Sequence, residues 1–561
     1  MKITILSGGT GNNALYKGIK EFYPEADIKV LVNAYDSGKS TGICRKITGT
    51  LGVSDIRKNH SRLYSISKNP NQNYMEFLEG RYNFGFNNEK NQVLEKLEYW
   101  GIKDKFQDAI ELFFNLYRFH KNKYHFEDFN VANIVYSALF NQYGYEKACE
   151  IMTEFLGIEN NVILNSFDNV YIKAKTKSGF IIEDEGDLVN YKNAEDPIIS
   201  IDYDGDHSFG LNQKAIDRIL ESNLIIISSG TFWSSIYPTL DYLEFYKYIN
   251  QSNAKKIWIM NNEQDKDAYG VSSNDFISIF EKLGLDLSKF IIIENNDAND
   301  LLKQKNNNYN VKYYNLGNEK GKHNPTEVSK CILKEYYNIQ NNIILDFDDT
   351  IWARDWKTNY ESHKISRENV QLLNQLKENV IIVSGNSYSS IQEKLKTMFG
   401  HKLEQFNVSI IADANAVLYK QNKKQGIIDN LIIEDEDILY ISNIISKYNF
   451  KIEVPESKTY IKIKPIDNNY RPMFKDYLSL IFNCKKMRLE AHITGKTTID
   501  IVKIGNDKSM ILTETNWASK DSTYIGDETD SGNDSIISKW CKNSIRVKDV
   551  FETNILLRLL K

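Results

Sequence analysis

The stretch Ile343-Ile344-Leu345-Asp346-Phe347-Asp348-Asp349-Thr350 is an apolar run that leads directly into a group of carboxylates. A short apolar run of this kind is typical of a strand in a parallel sheet that is covered on both faces. Ligands of such sheets bind beyond the carboxyl ends of the strands, so we expect Asp346 and Asp348 at the rim of a site. One carboxylate can attack phosphorus and the other can transfer a proton, while a hard cation such as Mg²⁺ screens their charge.

Three later segments supply further groups that handle phosphate. The apolar strand Val380–Val383 ends in Ser384 and Gly385, where a hydroxyl can bind a phosphate oxygen. Lys508 provides a cation for a phosphoryl group. Loop 527–534 follows another apolar strand and carries carboxylates that can complete a metal site.

Taken in order, these four segments resemble the motifs of the haloacid dehalogenase (HAD) phosphatase superfamily. The resemblance implies that Asp346 is the nucleophile, which forms an aspartyl-phosphate, and that Asp348 is the general acid and base. It implies Lys508 as the catalytic cation; Lys503, the rival, alternates with apolar neighbours as on a solvated strand face. The phosphate-binding residues that it implies are Thr350, Ser384 and Gly385.

The same resemblance implies a Mg²⁺ cofactor, held by Asp346, Asp348, Asp527, Asp530 and Asp534. The last loop departs from the usual short spacing, because Asp527 and Asp534 are seven positions apart. We favour Asp527 as a ligand since it directly follows the strand. The relative importance of Asp530 and Asp534 stays open.

The interval between the second and third motifs is longer than a single crossover needs, which predicts an inserted cap domain. Segment Ile410–Tyr419 resembles the strand and loop that precede the cap in the subgroup with sucrose-phosphate phosphatase, Cof-type hydrolases and phosphomannomutases. We therefore expect a HAD core over residues 342–421 and 493–561, interrupted by a type-IIB-like α+β cap over 422–492. Caps close over the substrate and set its specificity. Four basic cap residues could reach an anionic substrate, although exposed charge is the more frequent role of each: Arg471, Lys485, Lys486 and Arg488.

Length and composition limit the class of protein. A chain of 561 residues predicts two or three domains, and 41% hydrophobic residues are typical of a globular protein. The net charge of -5 argues against a nucleic-acid-binding protein. Five scattered cysteines give no zinc motif and suit a reducing compartment. We find no signal peptide or membrane-spanning run, so we expect a cytoplasmic protein without a membrane partner.

The N-terminal part begins with a strand and a glycine-rich turn, Ser7–Asn13, which leads into a helix. Glycines at such a turn allow backbone amides to approach a phosphate at the helix N-terminus. A second turn, Tyr35–Gly42, contains the residues GKST of a P-loop. Asn33 stands where a P-loop requires glycine, so we reject an ordinary P-loop ATPase.

The two turns together resemble the family of 2-phospho-lactate transferase (CofD-like) and the related gluconeogenesis factor (YvcK-like). Further matching segments are Gly52–Arg57, Asn130–Ile134, Ile219–Pro238 and Lys256–Asn262. The resemblance spans about residues 1–335, and we place this domain at 1–338. The nucleotide- or substrate-binding residues that it implies are Gly8, Gly9, Thr10, Gly11, Asn12, Asp36, Ser40, Arg57, Asn133, Gly230, Thr231, Ser234 and Asn261.

Members of this family bind nucleotides or nucleotide-activated compounds. Its transferases pass a phospholactyl-type group from a guanosine diphosphate linkage to an alcohol, whereas gluconeogenesis-factor proteins bind UDP-sugars and regulate. The family usually has two adjacent acids where this chain has Tyr35-Asp36, so the transferase and the binding-only interpretation both stay open. For Arg57 and His60, a substrate contact and a structural role are alternatives. The acidic run Ile182–Asp187 is interpreted as a solvated turn.

Together, the residues and the resemblances predict an α/β protein with two Rossmann-like parallel-sheet domains, the second a HAD core with an inserted cap. Our leading hypothesis is a bifunctional enzyme in which a Mg²⁺-dependent phosphatase is fused to a transferase that uses a nucleotide-activated donor. The alternative is a nucleotide-sugar-binding regulatory domain that controls the phosphatase. The expected partners are a small phosphorylated substrate and a nucleotide or nucleotide-activated compound. A homodimer is compatible with the sequence.

Overall fold

The computed structural model describes residues 1–9, 11–85, 88–120, 124–265, 267–297, 309–317, 322–376, 380–400, 405–494, 497–530 and 534–561. The chain divides into two compact units, Met1–Tyr336 and Tyr337–Lys561. Each unit contains its own seven-stranded sheet. No described helix is both long enough and apolar enough to cross a membrane.

The strands of the first unit are β1 (Lys2–Leu6), β2 (Asp27–Val32), β3 (Val162–Leu164), β4 (Asn169–Thr176), β5 (Ile181–Ile182), β6 (Ile198–Asp206), β7 (Leu224–Ile227), β8 (Lys255–Ile259), β9 (Phe290–Asn295) and β10 (Asn310–Tyr314). The main sheet has the order β10-β9-β8-β7-β1-β2-β3, and all of its strands are parallel. The strand order reverses between β1 and β7, and the carboxyl ends of these neighbours form the crevice where such sheets bind ligands. Strands β5, β4 and β6 form a small antiparallel sheet.

The helices of the first unit are α1 (Asn13–Phe22), α2 (Lys39–Thr48), α3 (Ser54–Ser65), α4 (Gln72–Glu79), α5 (Glu89–Tyr99), α6 (Lys103–Tyr117), α7 (Val131–Leu156), α8 (Glu185–Asn190), α9 (Gln213–Glu221), α10 (Tyr237–Asp241), α11 (Tyr246–Gln251), α12 (Ser273–Leu283) and α13 (Pro325–Tyr337). Gly144, with φ 76°, breaks α7 into two segments. Aromatic side chains fill the core between α4 and α7, where Phe77 stacks on Phe106 at 5.8 Å. Helix α3 lies beside the glycine-rich turn, where Asn59 Nδ2 donates to the carbonyl of Gly8 at 3.4 Å.

The strands of the second unit are β11 (Asn342–Asp346), β12 (Val380–Val383), β13 (Ser409–Ala412), β14 (Val417–Lys420), β15 (Lys423–Ile427), β16 (Lys451–Glu453), β17 (Ile461–Lys464), β18 (Leu489–Thr494), β19 (Thr498–Lys503), β20 (Ser522–Gly526) and β21 (Asn543–Arg546). The main sheet has the order β15-β14-β13-β12-β11-β20-β21. The neighbouring strands β13, β12, β11, β20 and β21 are parallel, while β14 and β15 form an antiparallel extension next to β13. The order reverses between β11 and β20, so a second crevice lies at the carboxyl ends of these two strands.

The helices of the second unit are α14 (Tyr360–Leu376), α15 (Tyr388–Phe399), α16 (Asp435–Ser446), α17 (Arg471–Lys485), α18 (Met510–Thr513), α19 (Ser535–Trp540) and α20 (Val550–Leu560). Helices α16 and α17 cover one face of an antiparallel sheet, β16-β17-β19-β18. These elements form the inserted α+β cap. The α/β class with two parallel sheets, which we predicted, is confirmed by the sheet topology.

The cap of the structure is shifted relative to the expected range 422–492. Hairpin β14–β15 belongs to the core sheet and ends at Ile427. At the other end, β18 and β19 pair over six residues, from Leu489↔Lys503 to Thr494↔Thr498. A hairpin paired along its whole length cannot be divided between two domains, so the cap extends to Lys503.

Candidate functional site

A buried group of charges lies at the crevice of the second sheet. Asp346 is the last residue of β11, and its Oδ1 accepts a hydrogen bond from Lys508 Nζ at 2.5 Å. The same amine donates to Asp534 Oδ1 at 2.5 Å. All three side chains are buried. Lys503, in contrast, forms an ion pair with Glu434 at 3.5 Å, so Lys508 is the lysine of the site.

The charges of this group act strongly on one another. Burial raises the pKa of Asp346 to about 7. The positive charge of Lys508 lowers this pKa, whereas the negative charge of Asp534 raises it further. Burial by itself would lower the pKa of Lys508, but the two carboxylates outweigh it and raise that pKa. The lysine therefore stays protonated and compensates the charge of its partners.

Three carboxylates converge next to this lysine. Oxygens of Asp346, Asp527 and Asp534 all lie within 4.8 Å of one another. Burial raises the pKa of Asp527, and the neighbouring Asp534 and Glu528 add to the effect. Carboxylate oxygens are the ligands that Mg²⁺ prefers, so these residues fit the expected metal.

Asp348 and Asp530, which we also expected among the metal ligands, lie outside this group. The carboxylate of Asp348 instead accepts from Asn386 Nδ2 and from Lys394 Nζ. Asp530 forms an ion pair with Arg546 at 2.9 Å, and its side chain is 72% exposed. Asp534 is the residue of that loop whose carboxylate lies beside Asp346, Asp527 and Lys508, so it is better placed than Asp530 to support a metal.

Lys394 and Asn386 were missed by the sequence analysis. Asn386 directly follows Ser384 and Gly385, which we expected to bind phosphate, so its position was a usable signal. Lys394 lies on α15, and its side chain and that of Asp348 are only 15% and 18% exposed. Nothing in the sequence separates it from Lys396 on the same helix; only the contacts of Lys394 with Phe347 and Asp348, in the loop after β11, do.

We predict that Lys394→Met lowers kcat for phosphate release by about tenfold, because Asp348 loses the cation that holds its carboxylate in place. Steady-state kinetics with Mg²⁺ would measure the effect. Lys396→Met, a change at an exposed position of the same helix, is the matched control. Equal kcat values for the two variants would contradict a role of Lys394.

The expected phosphate-binding residues surround the same crevice. Thr350 is buried, and its Oγ1 has no hydrogen-bond partner among the described residues. Ser384 Oγ accepts from the backbone N–H of Asn386 at 3.2 Å. A Cβ added to Gly385 would meet nothing within 4 Å, so the backbone is open at this point. These positions suit phosphate binding, which stays a prediction.

Gly526 is predicted to be essential for the position of Asp534. A Cβ at this residue would lie 2.3 Å from Asp534 Oδ2. Gly526→Ala should therefore displace the carboxylate and weaken Mg²⁺ binding by about tenfold or more. Calorimetric titration with Mg²⁺ measures the change, and Gly385→Ala, which adds a methyl group to open space, is the control. Unchanged affinity in Gly526→Ala would show that Asp534 does not bind the metal.

The glycine-rich turn of the first unit makes close contacts at the other crevice. A Cβ at Gly8 would lie 2.3 Å from Ser235 Oγ, one at Gly9 2.5 Å from Asp55 Oδ1, and one at Gly11 2.3 Å from the carbonyl oxygen of Ser229. These three glycines allow the turn to pack against α3 and the loop after β7. Thr10 lies outside the described residues.

Unpaired polar groups lie next to this turn. Ser7 and Ser228 follow β1 and β7, and their buried hydroxyls have no partner among the described residues. Asn12 donates to Asn59 Oδ1 at 2.5 Å, while its own Oδ1 is unpaired in the described part of the chain. Buried polar groups are normally hydrogen-bonded, so these atoms suit a ligand at the crevice, which stays a prediction.

A cluster of carboxylates lies on the other side of the turn. Burial and the neighbouring Asp36 raise the pKa of Glu185 well above its usual range. Burial would also raise the pKa of Asp36, but Lys58 and a hydrogen bond from Glu185 outweigh it and lower that pKa. Burial raises the pKa of Asp55, opposed by Lys58, whose amine is 3.4 Å away. Glu185 is thus buried at the start of α8, which corrects the interpretation of its segment as a solvated turn.

Arg57, Asn133 and Ser40 form a chain of buried hydrogen bonds. Arg57 Nε donates to Asn133 Oδ1 at 2.9 Å, and Asn133 Nδ2 donates to Ser40 Oγ at 3.0 Å. All three side chains are buried. They bind one another because α2, α3 and α7 meet at this point, and these contacts favour the structural alternative for Arg57. His60 behaves likewise, with Nδ1 2.8 Å from the hydroxyl of Tyr136.

A cavity of about 310 Å³ lies at the carboxyl ends of β7 and β8. Gly230 and Asn261 line it, together with the aromatic side chains of Phe232, Trp258 and Phe276. Asn261 Nδ2 donates to the carbonyl of Gly230 at 3.3 Å. This cavity is large enough and apolar enough on one side to receive a planar ring.

Thr231 and Ser234 are held inside the loop after β7. Thr231 Oγ1 lies 2.8 Å from Ser235 Oγ. Ser234 donates from both its backbone N–H and its hydroxyl to Asp267 Oδ2, at 2.8 and 2.7 Å. Asp265, which the sequence analysis missed, accepts from the N–H of Phe232 at 2.8 Å. The expected contact of Ser234 with a ligand is therefore replaced by a structural one.

The chain is similar to several known proteins. The family model for 2-phospho-L-lactate transferase CofD matches residues 3–330. A candidate gluconeogenesis factor of Thermoanaerobacterium thermosulfurigenes is 23% identical over 53% of this chain and 78% of its own. A crystal structure of a UPF0052 family protein from Bacillus halodurans is 16% identical and covers 59% of this chain and 98% of its own, with a TM-score of 0.44. A haloacid dehalogenase-like hydrolase from Bacteroides thetaiotaomicron is 13% identical and covers 36% and 86%, with a TM-score of 0.28.

Proposed function

The chain belongs to the 2-phospho-L-lactate transferase CofD family, and on this premise we propose a bifunctional phosphate-handling enzyme. Its second unit would be a Mg²⁺-dependent phosphomonoesterase that acts on a small sugar- or acid-phosphate. Its first unit would bind a nucleotide-activated donor and transfer part of it. In this proposal the protein is cytoplasmic, and its two binding partners, the phosphate monoester and the nucleotide-activated donor, are both small molecules.

The observation that carries the phosphatase proposal is the buried group Asp346–Lys508–Asp534 with Asp527 beside it. Buried ion groups contribute little to stability compared with apolar side chains of similar size, so stability alone does not explain them. The group also lies at the point where the strand order reverses, which is where ligands of α/β sheets bind.

The proposed reaction has two steps on the residues of this site. A carboxylate oxygen of Asp346 attacks phosphorus, the bond from phosphorus to the leaving alcohol breaks, and Asp348 protonates the leaving oxygen. Water then attacks the phosphorus of the aspartyl-phosphate and gives its proton to Asp348. The bond between phosphorus and Asp346 breaks, so that phosphate is released and the carboxylate of Asp346 is restored. Asn386 and Lys394 hold Asp348 in position. When bound by Asp346, Asp527 and Asp534, Mg²⁺ would neutralise charge on the phosphoryl oxygens.

Three features of the first unit support the proposal that it binds a nucleotide. They are the glycine turn, the hydroxyls of Ser7 and Ser228, which have no partner among the described residues, and the aromatic cavity. The glycine turn would bind phosphate at the N-terminus of α1. The family usually has two adjacent acids at this position, but here Asp36 follows Tyr35. For transfer chemistry, Asp55 and Glu185 would therefore take the place of the second acid beside Asp36.

A regulatory role is the second candidate function, and the packing of Tyr35 favours it. Tyr35 stands where the family usually has an acid; here it is fully buried, with its ring 5.2 Å from that of Tyr242. It contributes no carboxylate to the crevice. In this alternative, the first unit binds a nucleotide-sugar and changes the rate of the phosphatase.

The test is a screen for Mg²⁺-dependent phosphate release from sugar phosphates, phospho-acids and nucleotides, with Asp346→Asn in parallel. The screen is repeated with nucleotide-sugars present. Selective release that requires Asp346 supports the phosphatase. Release of nucleoside monophosphate that depends on an alcohol acceptor supports the transferase, while tight nucleotide-sugar binding that only changes the phosphatase rate supports regulation. No release from any monoester would refute the phosphatase.

A further inference from the structure

Helix α17 of the cap carries two separate apolar stripes. Phe474, Leu478 and Phe482 are buried against the cap sheet. A second set recurs every three or four residues, which is the spacing of a contact between helices, and these residues are exposed: Met473, Tyr477, Leu480 and Cys484. A helix that packs on a sheet needs only one apolar stripe, so the second stripe is suited to a further helix.

Helix α16 extends this exposed surface. It runs antiparallel to α17, because Tyr448, just after α16, has its ring 6.0 Å from that of Tyr477, whereas the ring of Tyr440 near its start lies 5.7 Å from Lys485 Nζ. We call the exposed apolar surface of the two helices the cap outer face: Leu439 (64% exposed), Tyr440 (37%), Tyr448 (42%), Met473 (64%), Tyr477 (39%) and Leu480 (61%). Single exposed apolar side chains are normal on a soluble protein, but a group of this size marks an interaction surface.

One end of the cap outer face carries charges of both signs. Residues 434–437 at the start of α16 are all acidic. Lys485 and Lys486 lie at the end of α17, and both are exposed. Because the two helices are antiparallel, the acidic start of α16 and the basic end of α17 lie side by side at this end of the face.

We propose that the cap outer face binds the same face of a second copy of this chain. In a two-fold dimer each surface meets itself. With the axis parallel to the helices, α16 of each copy lies over α17 of the other, and the four helices form an antiparallel bundle. Residues 434–437 of one copy then come opposite Lys485 and Lys486 of the other.

A second copy therefore matches the face in two respects. It supplies an equal set of apolar side chains for the exposed stripe, and it places each sign of charge opposite the other sign. A partner whose surface carries one sign of charge would be repelled by one of the two helices. The dimer is separate from the phosphatase function, because none of these residues belongs to the group Asp346–Lys508–Asp534.

Sedimentation equilibrium of the full chain at about 1–100 μM tests the dimer, since this range covers weak and moderate protein association. We expect a wild-type particle of twice the mass of one chain. Leu480→Glu places a charge within the apolar stripe and should raise the dissociation constant at least about tenfold. Leu220→Glu on α9, where the residue is 43% exposed, is the control and should leave the dissociation constant unchanged.

Charge reversal tests how the two copies are arranged. One variant combines Lys485→Glu with Lys486→Glu, and the other combines Glu436→Lys with Asp437→Lys. Each variant alone loses the opposite charges across the interface, so its self-association should weaken by about tenfold at low salt. An equal mixture of the two variants restores opposite charges and should form a one-to-one dimer that is tighter than either variant forms alone.

The results separate the possible outcomes. A wild type that stays monomeric over the whole range overturns the proposal, and so does a dimer that Leu480→Glu leaves intact, because it then uses another surface. A mixture that associates no better than its components overturns the arrangement of α16 over α17. Circular dichroism and thermal melting check the fold of each variant; if Leu480→Glu is unfolded, Met473→Glu on the same stripe replaces it. No measurement depends on phosphate release, so failure of the phosphatase would leave the test valid.

Discussion

Asp346→Asn is expected to abolish phosphate release from every monoester that the wild type hydrolyses, with a loss of at least about a thousandfold in kcat. An amide oxygen is a much weaker nucleophile than a carboxylate, so no aspartyl-phosphate can form. The substitution also removes one of the two carboxylates that contact Lys508. Phosphate release in the presence of Mg²⁺ measures the effect, and mass spectrometry of wild type stopped during turnover should detect the phosphorylated Asp346.

Asp530→Asn is the matched control for this experiment. Asp530 belongs to the same acidic loop, but its side chain is exposed and bonded to Arg546, so turnover should be retained. If Asp346→Asn kept wild-type activity, Asp346 would not be the nucleophile. If Asp530→Asn were equally inactive, the metal site would differ from the group Asp346, Asp527 and Asp534.

Gly11→Ala is expected to weaken nucleotide binding by the first unit by about tenfold or more. The added methyl group would lie 2.3 Å from the carbonyl oxygen of Ser229 and 3.0 Å from the Cα of Gly230. Both contacts are to backbone, so the two loops at the ends of β1 and β7 would have to separate. Calorimetric titration with a UDP-sugar and with GDP measures the loss.

Gly85→Ala is the control for that substitution, since its methyl group would meet only the side chain of Gln92 at 3.4 Å. Binding in this variant should equal that of the wild type. Normal affinity in Gly11→Ala would place the nucleotide elsewhere. Thermal melting and circular dichroism of Gly11→Ala check that the first unit, which contains the substitution, is folded.

Local patterns were sufficient to predict the framework of both crevices. Apolar runs that end in functional groups identify β1, β7, β11 and β12, because a strand covered on both faces must be apolar along its length. Asp346, Ser384 and the glycine turn follow such runs directly, so their place at the sheet edge is determined by the chain itself. For the same reason, Asp527 could be predicted at the end of β20.

Contacts between distant segments were decided only by the tertiary structure. The choice of Asp534 over Asp530 depends on which carboxylate reaches Lys508, and the sequence does not encode that direction locally. Lys394 contacts Asp348 because of the position of α15, and Arg57 and Asn133 form a hydrogen bond with each other that the sequence did not predict. The extent of the cap likewise depended on the pairing of β18 with β19.

The sequence by itself therefore determined the two α/β sheets, the residues at their strand ends and the kind of chemistry that carboxylates, lysine and glycine turns can perform. The tertiary structure decided which of these residues meet. The physical reason is that strand burial and turn geometry depend on neighbours in the chain, whereas charge pairing and burial of side chains depend on helices and loops that are far apart in sequence.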